Sequence, residues 1–167
     1  MPEKEVLERA KKDAEEGKSP SSQAGEFVHE EIEHVKQGKH GARSTQQAIA
    51  IGLSKARRAG IRLPPPKHGS VSEKIRSQAA RDNSKGQADP GQKPSPTRSR
   101  ATKGALQREG HEAASHEALS KQAKSSAALR SSESRGRAAQ KTVRTKGPAV
   151  LKSEAQKAAR ARASHGR

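Results

Sequence analysis

Lysine and arginine side chains carry the clearest chemical signal in this sequence, because many of them occur without acidic neighbours. Between His34 and Ser72 there are eight Lys and Arg residues and no Asp or Glu. An unneutralised positive field of this kind attracts polyanions such as nucleic acids. We therefore predict a phosphate-binding surface formed by Lys39, Arg43, Lys55, Arg57, Arg58, Arg62 and Lys67.

A second set of basic residues lies in the C-terminal segment, defined here as residues 83–167. Residues 67–167 contain 23 Lys and Arg against 8 Asp and Glu, whereas residues 1–66 contain 12 against 10. The run Ser95-Pro96-Thr97-Arg98 resembles turns of linker-histone tails, and Arg135-Gly136-Arg137 resembles the core of minor-groove hooks. The residues of this segment predicted to bind nucleic acid are Arg98, Arg100, Arg135, Arg137, Arg160 and Arg162.

The near absence of aromatic residues limits how a nucleic acid could be recognised. Phe27 is the single aromatic residue, and Tyr and Trp are missing. Bases therefore have almost no side chain to stack on, which leaves contacts with phosphates that do not read sequence. We expect nucleic acid as the partner, in the first place double-stranded DNA. A homo-oligomer is compatible with the sequence.

Residues for catalysis, cofactors or metals do not form a recognisable pattern. Cysteine is absent, and the turn Gly38 to Gly41 lacks the spacing of a nucleotide-binding loop. His29 and His34 are five residues apart, as are His111 and His116, which places the two rings of each pair roughly 140° apart around a helix. The sequence predicts no enzyme, no cofactor, no metal site and no small-molecule substrate.

The cations of the acid-free run depend on a predicted helical hairpin for their positions. Ser19-Pro20 and Gly38 bound a first helix, whereas a Ser44-x-x-Gln47 capping box and Gly60 bound a second. Gly52, in the middle of the second helix, indicates a close approach of the two backbones. Glu31 falls on the apolar arc of the first helix, so we expect it at the edge of the contact, paired with Lys55 or Arg43.

Composition predicts order in only part of the chain. Hydrophobic residues make up 28% and charged residues 32% of the sequence, so a core is expected only in the first half. The predicted fold class is all-α. The predicted organisation is a charged helix over residues 1–17 that could dock, the hairpin over 18–69, a short helix over 70–82, capped by Ser70 with Glu73, and a largely disordered tail over 83–167.

Two other functions are compatible with the same residues. In a protein-interaction module, the acidic face of the first hairpin helix (Glu26, Glu30, Glu33) or Ile51 would bind a protein, and the C-terminal segment would be a flexible tether. In an RNA-binding or ribosome-associated protein, the phosphate contacts would be the same. The sequence lacks a signal peptide and any apolar run of about 20 residues, so we expect a protein without a membrane partner.

The stretch SPSSQAGEFVHEEIEHVKQGKHGARSTQQAIAIGLSKARRAGIRLPPP, from Ser19 to Pro66, resembles an uncharacterised family of small basic bacterial proteins, a domain of unknown function. Some members are labelled DNA-binding or plasmid stabilisation. The element ALQREGHEAASHEALSKQAKSSAAL in the C-terminal segment is similar to one in longer members. The resemblance implies a bacterial protein of the cytoplasm, and of the nucleoid if it binds DNA, and it supplies no catalytic residues.

Overall fold

All regular secondary structure in the described residues is helical, as predicted. A computed structural model describes residues 2–90, 92–93 and 95–165, without the side chains of residues 145, 146, 164 and 165. Residues 1–122 and 123–167 form two separate compact units. The helices are α1 (Lys4–Glu15), α2 (Pro20–Lys36), α3 (Thr45–Arg58), α4 (Glu73–Ala88), α5 (Pro96–Gln107), a short 3-10 helix (Glu112–Ala114), α6 (His116–Ala128) and α7 (Ser132–His165).

The hairpin of α2 and α3 has the predicted boundaries. Pro20 is the first residue of α2, and Gly38, with a φ of +71°, follows its end. The Ser44 hydroxyl accepts a hydrogen bond from the Gln47 backbone N–H and caps α3. The Gln47 side chain accepts from the Arg43 backbone N–H at 2.8 Å instead of completing the capping box at Ser44. Both helices therefore begin and end where local sequence chemistry places them.

The N-terminal helix, whose docking the sequence left open, is docked on the hairpin. Val6 and Ala10 of α1 are buried in a cluster with Phe27 of α2 and Ala56 of α3. Phe27 has no exposed surface at all. Helix α1 thus supplies apolar surface that a two-helix hairpin of about 50 residues lacks.

Small residues allow the helices of the first unit to approach closely, as predicted for Gly52. A Cβ atom on Gly52 would lie 2.7 Å from the Val28 Cα, so α2 and α3 could not pack as they do around a larger residue. Gly86 has the same role between α4 and α3, because a Cβ there would lie 1.8 Å from the Arg57 carbonyl oxygen. The sequence analysis missed this second contact.

The predicted disordered tail is wrong, because the described part of the C-terminal segment is mostly helical. Helix α4 continues to Ala88 and begins after a Ser72 cap instead of Ser70, and α5, the 3-10 helix, α6 and α7 follow it. Alanine has the highest helix propensity, so these segments form helices even though few of their residues are buried. Serine hydroxyls accept hydrogen bonds from the first turns, at Ser72, Ser95, Ser115 and Ser131.

Residues 106–114 of the C-terminal segment pack on the turn between α2 and α3. The backbone N–H of Gly41 donates to the Leu106 carbonyl, and that of Ala42 donates to the Gly110 carbonyl, both at 2.9 Å. The Thr45 hydroxyl donates to the Ala113 carbonyl at 2.6 Å. Ala113 and Ala114 are buried with Ile32, Val35 and Ala48 in a second apolar cluster. The hairpin core therefore includes residues about 70 positions away in the sequence.

The second unit consists of the end of α6 and of α7. Gly147 has a φ of +70° and interrupts α7, and Pro148 follows it. Val143 and Val150 are 55% and 47% exposed. Nearly all described side chains of α7 are exposed, and polar and charged residues lie on every side of the helix.

We expect Gly41→Ala to detach residues 106–114 from the hairpin, because a Cβ at this position would lie 1.9 Å from the Glu109 carbonyl oxygen. The clash with backbone should cost about 1–3 kcal/mol of unfolding free energy, and hydrogen exchange should accelerate at the Gly41 and Ala42 amides. Chemical denaturation and hydrogen exchange measure these effects. Gly25→Ala is the matched control, since its Cβ would meet nothing within 4 Å and should stabilise α2 by about 1 kcal/mol. Equal stability of the two variants would contradict this packing.

Candidate nucleic-acid interface

Lys55 lies in the contact between α2 and α3, where it neutralises two buried carboxylates. Its Nζ is 2.6 Å from Glu31 Oε2 and 3.4 Å from Glu30 Oε2. The Glu31 side chain is 1% exposed and that of Lys55 is 21% exposed. The predicted pairing of Glu31 with Lys55 is confirmed, although Glu31 lies inside the contact and not at its edge. Lys55 holds the hairpin together instead of facing a ligand.

Arg57 is also turned toward the protein. The residue is 6% exposed, and its guanidinium donates to the carbonyls of Leu63 at 3.3 Å and Pro64 at 3.4 Å. Burial lowers the pKa of Arg57 from its ordinary value, and the nearby Asp82 partly opposes that shift. These hydrogen bonds fix the proline-rich stretch that follows α3. Arg57 therefore has a structural role, because it joins the end of α3 to the stretch that follows it.

Arg58 contacts a buried aspartate of α4. Its Nε is 3.0 Å from Asp82 Oδ1, and Asp82 also accepts from the Ser54 hydroxyl at 2.7 Å and the Gln78 amide at 3.0 Å. Asp82 is 2% exposed, whereas the Arg58 side chain is 32% exposed. Arg58 therefore joins α3 to α4 and still reaches the surface.

The remaining predicted cations of residues 34–72 are exposed. Arg62 donates to the Gln87 side chain at 2.9 Å, and Lys39 is 3.0 Å from Glu3 Oε1. Hydrogen bonds from Lys39 and His34 lower the pKa of Glu3. Arg43 and Lys67 face solvent. Acids from outside the run thus pair with part of its cations: Glu3 with Lys39, Glu30 and Glu31 with Lys55, and Asp82 with Arg58.

A cavity of about 190 Å³ between the ends of α3 and α4 and the start of α5 brings basic residues together. Its lining contains one acid, Asp89, and four cations: Arg58, Lys85, Lys93 and Arg98. The volume exceeds that of several water molecules at about 30 Å³ each, so a phosphate group fits. The N-terminus of α5 at Ser95 also lines the cavity and adds the positive end of a helix dipole. This cavity is the candidate phosphate site.

Helix α5 extends the basic character of the cavity. It contains Arg98, Arg100 and Lys103, all exposed, and no acid. The Ser95 hydroxyl accepts from the Arg98 backbone N–H, so Ser95 to Arg98 form the first turn of a helix and not the isolated turn that the histone-tail pattern predicted. The sequence analysis missed Lys85 and Lys93, although no acid occurs between Asp89 and Glu109.

In the second unit, the Arg135-Gly136-Arg137 pattern, which resembles the core of minor-groove hooks, lies within helix α7. Arg135 donates to the carbonyls of Ala127 and Arg130 at 3.2 Å and caps the end of α6. Arg137 pairs with Glu133 one turn away. Arg160 and Arg162 lie on α7 and are exposed, with no ion pair to a described residue.

The acidic face proposed for protein binding is largely covered. Glu30 is 5% exposed and accepts from the Glu3 backbone N–H at 2.6 Å. Glu26 accepts from Arg9 of α1 at 2.7 Å, and Glu33 pairs with Lys36. Ile51 is half-buried. The docked N-terminal segment therefore covers Glu26 and Glu30, and Glu33 is paired within α2.

Histidine and carboxylate groups meet in a combination that the sequence analysis did not consider. Glu31, His34 and His40 each present one ligand atom, and these atoms lie within 4.8 Å of one another. A second set, of Glu3, Glu30 and His34, shares one histidine with the first. Glu31 and His34 are three residues apart, which places them on the same side of a helix. This spacing was the signal in the sequence that could have indicated the cluster.

Comparison with known proteins places part of the chain in a family context. A model of a family of unknown function (DUF6496) matches residues 17–67. No curated protein and no solved structure matches the chain. The matched residues contain α2, α3 and the Glu31, His34 and His40 cluster, whereas most of the phosphate-sized cavity is built from residues after them. None of the described helices has the length and apolarity that crossing a membrane requires.

Proposed function

We propose that this protein binds nucleic acid, in the first place double-stranded DNA, through phosphate contacts that do not read sequence. In a cell it would act as a nucleoid-associated or DNA-coating protein. The cavity at the start of α5 carries the proposal, because four cations line it with one acid. A phosphodiester group is the anion that fits this chemistry in a protein with a net charge of +17.

Of the cations that the sequence singled out in α3, Arg58 lines the cavity, whereas Lys55 and Arg57 do not. Lys85, Lys93 and Arg98 are exposed at the cavity, and Arg100 and Lys103 follow on α5. In the second unit, Arg160 and Arg162 offer further contacts. The lysine ammonium groups act as point charges, and the planar arginine guanidinium groups pair with phosphate oxygens. Because the single aromatic residue, Phe27, is buried, bases have no aromatic side chain to stack on. These residues therefore favour contacts with phosphates over contacts with bases.

The proposal predicts a strong salt dependence of binding. If the four cavity cations each neutralise one phosphate, they should contribute about −3.6 to the slope of log affinity against log salt for a duplex, and the further contacts should make it steeper. Fluorescence anisotropy of a labelled duplex of about 20 base pairs, titrated with the full chain at several NaCl concentrations, measures that slope. Duplexes of unrelated sequence should give the same affinity within about 3-fold.

An RNA hairpin of equal charge is the comparison that tests the choice of DNA. Weaker binding of RNA supports a DNA partner, whereas tighter binding would assign the protein to RNA. A slope near zero for both, or no binding at low salt, would refute a phosphate-contact function.

A further inference from the structure

The cluster of Glu31, His34 and His40 is built by the end of α2 and the turn after it. Glu31 and His34 are three residues apart and so lie on the same side of α2. Gly38, with its φ of +71°, reverses the chain, and His40 returns toward the helix. The His34 and His40 ring centroids are 5.9 Å apart and nearly perpendicular. Residues of two different segments therefore converge on one point.

The distances in the cluster suit a transition-metal ion. Nε2 of His40 is 3.3 Å from Glu31 Oε1. Two ligand atoms on one tetrahedral zinc ion, each about 2.0–2.1 Å from the metal, lie about 3.3 Å apart. A ring nitrogen of His34 completes a set whose atoms are all within 4.8 Å of one another. Small side-chain rotations would bring three ligands to one ion.

One ring nitrogen of His40 contacts a backbone carbonyl, and the other faces Glu31. Its Nδ1 is 3.1 Å from the Gly41 carbonyl, which can only accept, so Nδ1 carries the proton. Its other ring nitrogen, Nε2, faces Glu31 Oε1 at 3.3 Å. Both Glu31 carboxylate oxygens are buried and accept no well-formed hydrogen bond. A backbone carbonyl behind a metal-binding histidine is the usual support for its orientation.

The charges around the cluster permit a divalent ion. Lys55 lies 2.6 Å from Glu31 Oε2 and leaves Oε1 free to face His40. Glu30, 3.4 Å from Lys55, offsets the charge of that ammonium group. Glu3 Oε1 is 3.0 Å from His34 Nε2 and can accept a hydrogen bond from that ring.

The second set, of Glu3, Glu30 and His34, is the weaker candidate. Glu3 is exposed, and its Oε1 is shared with Lys39. Glu30 Oε1 accepts from the Glu3 backbone N–H. We propose, independently of nucleic-acid binding, that Glu31, His34 and His40 bind one divalent transition-metal ion of the zinc type.

Cobalt and zinc titrations of the full chain test this site. Co²⁺ should bind with a stoichiometry of one and give the visible absorption of a tetrahedral centre, and Zn²⁺ should displace it. X-ray absorption of the zinc form should show two imidazoles in the coordination shell. His40→Ala and His34→Ala should each weaken binding at least 10-fold.

His29→Ala is the matched control, because His29 is exposed on the same helix and lies outside the cluster. Its affinity should equal that of the unmodified protein. Glu31→Gln keeps the volume of the buried side chain and should also weaken metal binding. Its metal affinity can be measured even if an alanine variant fails to fold. Absence of stoichiometric binding by the unmodified protein, or equal binding by His40→Ala and His29→Ala, would overturn the proposal.

Discussion

Replacing Lys55 by alanine is expected to lower the free energy of unfolding by about 3 kcal/mol while changing nucleic-acid affinity less than about 3-fold. The ammonium group lies 2.6 Å from the buried Glu31 carboxylate and 3.4 Å from that of Glu30. Removal of one partner leaves a buried charge uncompensated, and such changes cost about 3–5 kcal/mol. Because Lys55 is 21% exposed, the lower end of that range applies. Urea denaturation in the presence of a chelator measures the loss without any contribution from bound metal.

Arg43→Ala is the control for this experiment, since Arg43 lies just before α3, is exposed and makes no ion pair to a described residue. Its stability should change by less than about 0.5 kcal/mol. A Lys55→Ala variant that kept full stability and lost nucleic-acid affinity would restore the sequence-based assignment of Lys55 as a phosphate contact.

The triple variant Lys85→Ala, Lys93→Ala and Arg98→Ala should weaken binding of duplex DNA at least 10-fold at about 0.1 M salt. Each lost phosphate contact should also reduce the salt slope by about 0.9, so the slope should fall in magnitude by about 2 to 3. The three residues line the cavity between α3, α4 and α5 and are exposed, so their removal leaves the apolar clusters intact. Anisotropy titrations across a salt series measure both quantities.

A second triple variant separates the cavity from net charge. Lys4→Ala, Lys11→Ala and Lys74→Ala removes the same three charges from exposed positions outside the cavity. It should weaken binding less than about 3-fold. If both triples lose the same affinity, the total charge of the chain binds the nucleic acid and the cavity has no special role.

Local sequence chemistry was sufficient to predict the hairpin. The Ser44 cap, the glycines with positive φ at positions 38 and 60, and the close approach at Gly52 were all predicted and are present. Each of these features depends on residues near one another in the sequence or on the periodicity of one helix. The sequence allowed the docking of α1 but did not decide it, because its thin apolar stripe fits a docked helix and a solvated one.

The C-terminal segment was predicted wrongly because its composition and its local sequence signals indicate different structures. Its few apolar residues suggested disorder, yet alanine favours helices and serine caps begin several of them. The burial of Ala113 and Ala114 depends on contacts with Ile32 and Val35. Those contacts join residues about 80 positions apart, and a pattern within one segment does not reveal them.

What the sequence determined by itself is the all-helical architecture of the first unit and the excess of positive charge, because helix propensity, caps and formal charge belong to individual residues and their near neighbours. Which cations are free was decided only by the tertiary structure. Folding brings Glu31 and Asp82 against Lys55 and Arg58, and it brings Lys85, Lys93 and Arg98 together around a cavity. Electrostatic neutralisation depends on distance in space, and a stretch without acids in the sequence can be surrounded by acids once the chain has folded.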